Sequence, residues 1–339
     1  MSDSPSTNRA PSQDAQHANS KSQLSWGLFE WGVLVASALI VLWFFGVTPR
    51  YNANRDQSLF VWLKGAWNSE TGYEHGPLVP LVAIGLIIFN FKALRASVGK
   101  GSNWGLASVF IGALLYTVAY RTLQPRIAGG ALPFVLWGCG LYFWGWRTSR
   151  LLLFPLFFLW LAVPLPSFQQ ATTQLQMLAT SLAHHGSSLF GVETYTEGSK
   201  VLPVKGNWEP LDIAGGCSGI RSLMALIMVS AAWAYVAKMA FWKRGVLFFM
   251  AFPLAIIGNA LRVISIFVIA EYGDAQWART TWHDWSGLLL FYPFSLLSLF
   301  AVHSLLEGGL PWKQKGGKKV LRRVVIKNEQ APNSNLTEA

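Results

Sequence analysis

Charge is what this chain has least of. Only 13% of its 339 residues are charged, against ~25% in an ordinary soluble domain. So little charge excludes a conventional water-soluble protein of this length. Cysteine is nearly absent, with Cys139 and Cys217 the only two. Two thiols make no disulfide framework, and neither stands in a zinc-type spacing, so no metal site is expected. No Gly-x-Gly-x-x-Gly stretch, Walker loop or internal repeat occurs, which leaves no nucleotide cofactor to expect. Acidic residues number 16 against 27 Lys and Arg, a net charge of +11. The basic residues lie in short loops and the C-terminal tail, so the excess reads as membrane topology and not as nucleic-acid binding.

What the chain has instead is apolar sequence in long runs, 52% hydrophobic with 17 Trp and 22 Phe. A hydrocarbon core about 30 Å thick takes about 20 apolar residues in a helix. That ruler gives eight candidate spans, at 28–47, 77–94, 104–120, 127–146, 151–166, 218–237, 245–270 and 286–306. The expected fold is an all-α polytopic membrane protein. Residues 1–27 read as a disordered cytoplasmic tail, 28–306 as the membrane domain and 307–339 as a basic cytoplasmic tail that meets anionic lipid. The first apolar run has no small-residue cleavage site after it and reads as a retained helix. With the N-terminus inside, the inner segments hold 17 Lys and Arg and the outer ones 8. The positive-inside rule therefore puts both termini in the cytoplasm.

This orientation exposes the 167–217 loop on the outer face. Phe168, Ala171, Leu175, Leu178, Leu182 and Leu189 recur at helical spacing, with Gln169, Gln170, Thr173, Gln174 and Gln176 on the other side. The pattern predicts an amphipathic helix on the outer membrane surface. The β-branched residues and Gly and Asn breaks of "VETYTEGSKVLPVKGNWEPLDI" predict a small β-hairpin. It leads into "GGCSGIRS", Gly215 to Ser222.

Cys217 stands just before an apolar span that begins at Ser218, where a helix N-terminus stabilises a thiolate. The flanking glycines permit close approach of a substrate. Arg262, in "GNALRVISIFVIA", lies inside a span, where an arginine is costly and usually functional. Asn259 is one turn earlier on the same face. Arg221, four residues after Cys217, is left open between tuning the thiolate, holding substrate and holding a lipid phosphate. His283, in "WHDWSG", is expected in the last outer loop. Cys, Arg and His at one membrane face form a nucleophile, an oxyanion partner and an acid/base. His75, in "YEHGPLVP" with Tyr73 and Glu74, is a rival base or a substrate-positioning residue. His184, His185 and His303 are read as structural, and Cys139 as a small buried hydrophobe.

Taken together, "YEHGPLVP", "FPLFFLWLAVPLP", "GGCSGIRSL", "PLAIIGNALRVISI" and "HDWSG" resemble the motifs of the exosortase/archaeosortase family in type and order, over about residues 60–305. The family's catalytic Cys, Arg and His map onto Cys217, Arg262 and His283. The resemblance implies a transpeptidase-like thiol protease of the bacterial inner membrane. Its partners would be exported proteins with a C-terminal sorting signal: a short motif such as Pro-Glu-Pro, one transmembrane helix and a basic tail. Cleavage would occur just outside the membrane, with transfer to water or to a cell-surface acceptor, in systems often associated with exopolysaccharide. Two other readings compete: a non-enzymatic component of polysaccharide export, and a thiol-dependent acyl or lipid-linked transferase.

Overall fold

The computed structural model describes residues 28–51, 55–68, 71–164, 166–198, 200–206, 208–212 and 220–308. The expected tails fall on residues outside these, apart from the last residues of the final helix, and so do Cys217 and Ser218. The protein is mostly helical. In chain order come α1 (Leu28–Val41, continued by a π-helical turn, Leu42–Val47), α2 (Leu59–Ala66), α3 (Leu78–Phe89), α4 (Phe91–Ser97), α5 (Trp104–Thr122) and α6 (Pro125–Phe157). After α6 the chain runs through a 3₁₀ turn into α7 (Pro166–Ser188), three short strands, α8 (Ile220–Val236), α9 (Phe241–Phe249) and α10 (Ala251–Tyr272). A last continuous helix, α11, covers Ala275–Glu307.

Among the described residues, four helical stretches can cross a bilayer by length and composition, or five if the pair α3–α4, bent by 60°, counts as one. The eight expected spans are therefore met only in part. The segments in α1 and α8 are apolar but shorter, and the chain bends at Asn90, between α3 and α4.

The longest stretch, Pro125–Ala162, is not one rod. Gly145 sits at φ 77°, ψ −179°, outside helical space. Contacts across it run antiparallel: the Trp137 indole donates to Ser149 O, the Trp160 indole donates to Gly130 O, and the Phe134 ring meets Phe157. A straight helix could not bring residues 130 and 160 together, so α6 is a helical hairpin with arms 125–144 and 146–162. A side chain at Gly145 would strike Lys100 O, which is why glycine holds this reversal. The first arm also packs antiparallel on α5 through small residues. A methyl at Gly138 would lie 2.7 Å from Gly105 O and from Val109 N, the close backbone approach typical of helices packed in lipid.

The molecule has two ends. At one, Asn90 donates to the Tyr235 hydroxyl, which donates to Leu151 O, and Lys243 Nζ donates to Leu306 O. At the other, the Trp67 indole donates to Ala162 O, Arg126 to Pro164 O and Arg50 to Tyr120 O. The paired stretches Phe241–Tyr272 and Ala275–Glu307, of 32 and 33 residues, are about 50 Å long at ~1.5 Å per residue. That exceeds a ~30 Å hydrocarbon core. The Lys243–Leu306 contact pins their first end, and the surplus projects at the second.

A second core covers this projection. Ala179 and Ala183 of α7, with Val192, Val201, Trp208 and Leu211, pack on Val263, Ile266, Phe267 and Ala270 of α10. The strands are β1 (Thr194–Glu197), β2 (Lys200–Pro203) and β3 (Leu211–Asp212), all antiparallel in the order β1-β2-β3. Gly198, at φ 62°, turns β1 into β2. α7 meets α10 through its small residues, whereas Leu178, Leu182 and Leu189 face outward. The leucine stripe is thus not used in the contact with α10, where alanine- and glycine-sized side chains allow close packing.

Candidate functional site

The junction between the projecting core and the intramembrane core is where the polar side chains gather. Below it, Leu254 and Ala255 of α10 pack with Tyr73, Leu223, Met224 and Phe291. Above it, Val263 and Ile266 belong to the projecting core. Arg262 lies between these two sets and is only 9% exposed. Its Nε donates to Ser286 Oγ at 3.0 Å and its Nη2 to His283 O at 3.1 Å. Ser286 Oγ itself donates to His283 O at 2.9 Å. These bonds tie the guanidinium to one turn of α11, and its other N–H groups remain for further acceptors. No carboxylate among the described residues forms an ion pair with Arg262.

His283 is not in a loop, as expected from sequence, but within α11. The chain reverses earlier, at Gly273, and the Asp274 side chain accepts from Gln276 N and Trp277 N to start the helix there. The helix then runs through "WHDWSG". π-helical turns, Ala278–Trp282 and Gly287–Phe291, flank His283 on both sides. Such turns widen a helix and are frequent at functional sites. His283 Nδ1 lies 3.1 Å from Asp284 Oδ1, and its side chain is 24% exposed. Asn259 is buried one turn before Arg262.

Arg221 stands in the first turn of α8, the helix that follows Cys217. Its Nη1 lies 3.6 Å from Glu74 Oε1, with both side chains partly exposed. Glu74 precedes His75, whose Nε2 lies 3.3 Å from Leu161 O. The Tyr73 and His75 rings are 5.2 Å apart, and Tyr73 is buried against α8 and α11. Burial holds the His75 pKa below the ordinary histidine value, partly offset by the Leu161 hydrogen bond. Tyr292 lies within electrostatic reach of both Glu74 and Arg262. Tyr73, Glu74, His75 and Arg221 therefore share one end of the bundle with Arg262 and His283.

Cys217 and Ser218, outside the described residues, have no position to report beyond their place in sequence just before α8. Three contributors escaped the sequence reading. Ser286, bonded to Arg262, had a signal in its spacing of three from His283 within "HDWSG". Glu74, beside His75 in sequence, gains its role only through the contact with Arg221. Tyr292 carried no signal, being one aromatic among many. The histidines read as structural have local partners: His184 Nδ1 lies 2.8 Å from Thr194 Oγ1, His185 Nδ1 2.7 Å from Ser181 O and His303 Nε2 3.6 Å from Glu307 Oε2. Cys139 lines an apolar cavity of about 520 Å³ with Leu34, Leu136 and Leu152, away from Arg262.

Among known proteins, the family described as transmembrane exosortase (Exosortase_EpsH) matches residues 67–301. No curated protein and no solved structure matches the chain. The matched stretch covers well over half of the chain and includes every candidate site residue. The chain therefore belongs to the transmembrane exosortase family, and with that membership comes a general role at the membrane, in transpeptidase-type sorting of proteins that carry sorting signals.

Proposed function

We propose that the protein is a membrane-embedded cysteine protease/transpeptidase that cleaves C-terminal sorting signals of exported proteins. It would act at the outer face of the cytoplasmic membrane, with eight helical traverses and both termini in the cytoplasm. The observation that carries this reading is the buried Arg262 guanidinium bonded to the backbone of His283. A buried cation without a carboxylate is expensive, and an enzyme that develops a negative oxygen next to it has a use for that cost.

In this mechanism the Cys217 sulfur attacks the scissile carbonyl carbon. The C–S bond forms, the carbonyl electron pair moves onto oxygen, and the thiol proton goes to His283. Arg262 donates to the oxyanion. Collapse of the intermediate breaks the C–N bond, and His283 returns the proton to the leaving amine. Water or an acceptor amine then resolves the thioester. Asp284, beside His283 Nδ1, orients the ring. Asn259 and Arg221 support the substrate, and Tyr73 braces the floor of the site. A substrate with its own transmembrane helix is concentrated at this depth by the bilayer, so a short motif suffices.

The test uses Cys217→Ala, Arg262→Lys and His283→Ala in cells expressing a tagged protein with a sorting signal. Each variant should accumulate uncleaved precursor. Mass spectrometry of the trapped wild-type enzyme should find a peptide acyl group on Cys217. Normal processing by Cys217→Ala, or a lipid-derived acyl group on the thiol, would overturn the reading.

A further inference from the structure

His75 is nine-tenths buried, at 6% exposure, and its two ring nitrogens are in different situations. Nε2 faces Leu161 O at 3.3 Å. A carbonyl oxygen can only accept, so Nε2 carries the hydrogen. In the neutral ring Nδ1 then presents a bare lone pair. That atom is buried and has no hydrogen-bond partner among the described residues. A buried acceptor left empty is costly and rare in native structures. Its sequence neighbour Glu74 is paired with Arg221, and Arg262 is bonded to Ser286 and His283. None of the bonds described for these groups ends on Nδ1.

We propose that His75 is a substrate-positioning residue whose Nδ1 accepts a hydrogen bond from a backbone N–H of the bound peptide. This deepens the thiol-peptidase reading and rests on it. The Leu161 carbonyl fixes the tautomer, and burial keeps the ring neutral. His75 therefore has no proton to give at Nδ1 and is not the acid of the reaction, which leaves proton transfer to His283. A peptide supplies one N–H per residue except at proline, so the contact discriminates against proline or N-methylation at one substrate position.

Two isosteric variants separate the ring nitrogens, because an Asn amide reaches the place of Nδ1 and a Gln amide the place of Nε2. With a peptide substrate carrying the sorting motif and purified full-length enzyme, His75→Asn should retain most of kcat/KM. His75→Gln should raise KM about tenfold with kcat little changed, the loss of one substrate hydrogen bond. The reverse order, Gln active and Asn impaired, would mean that only the Leu161 bond matters and would overturn the proposal. So would wild-type behaviour of both variants, or loss of kcat together with one limb of the pH profile, the signature of a base. A second measurement needs no variant. Peptides N-methylated one position at a time should include one that raises KM about tenfold on the wild-type enzyme, and a flat series overturns the proposal. Cys217→Ala separates the two levels of inference. If it is inactive while His75→Gln is normal, the His75 role alone fails, whereas an active Cys217→Ala removes the reading beneath it.

Discussion

Ser286 is the residue whose importance the geometry raises most. It accepts from Arg262 Nε and donates to His283 O, so it fixes both ends of the pair. Removing a hydrogen bond to a charged group costs about 1.5–3 kcal/mol. Ser286→Ala should therefore lower kcat/KM about tenfold or more in a peptide-cleavage assay while the enzyme still folds. Wild-type activity would show that the guanidinium is held by other contacts. His75 gives a pH prediction. Its folded pKa is below the ordinary value and its unfolded pKa is about 6.5. Above about 6.5 both states are neutral and the group costs nothing. As the pH falls below that value the unfolded state binds the proton first, so stability declines until the lowered folded pKa is passed. Thermal melting of the purified protein should fall as the buffer is taken down from about pH 6.5, and His75→Gln should flatten that part of the curve.

At the scale of elements, the contact between α5 and the first arm of α6 depends on absent side chains. A methyl at Gly138 would lie 2.7 Å from backbone atoms of α5, and backbone cannot swing aside as a side chain can. Overpacking of this kind costs about 1–3 kcal/mol or more. Gly138→Ala should lower the melting temperature and the membrane yield, whereas Gly130→Ala, one face away with open space around it, should be tolerated. Equal melting of the two variants would mean that the helices can separate freely. The same contrast explains what could be read in advance. The apolar runs announced helices. The leucine stripe of α7 was legible as amphipathic, but the docking of α7 on α10 was not, because that contact is made by Gly186 and Ala183, small residues that carry no periodic signal.

At the scale of the molecule, the projecting core is a separate layer built on the surplus length of α10 and α11. Trp208 locks it: its indole donates to Glu271 Oε2 at 2.7 Å and stacks on Phe267 at 5.6 Å. Loss of such a side chain costs about 3–5 kcal/mol. Trp208→Ala should open the 192–212 segment to limited proteolysis while the membrane helices stay intact, and unchanged resistance would show that α7 alone holds the layer. The proposed orientation predicts that, in intact cells stripped of their outer envelope, a membrane-impermeant maleimide labels Lys205→Cys but not Lys100→Cys. The opposite pattern would invert the topology.

Composition and run length by themselves determined a helical membrane protein, since hydrocarbon admits few other structures for such segments. Charge asymmetry ranked the loops, and the order of motifs pointed to the family. Residue types nominated Arg262, His283, His75 and Arg221, because polar groups in apolar surroundings stand out wherever they occur. The tertiary structure alone decided the rest. The start of α11 depends on the Asp274 cap and the reversal at Gly273, which moved His283 from a loop onto a helix beside Arg262. The pairing of Glu74 with Arg221 joins segments far apart in sequence, and no local pattern encodes such a contact. The bare Nδ1 of His75 arises from a carbonyl on another helical segment and from burial by several others. These are properties of packing, which the periodicity of one segment cannot contain.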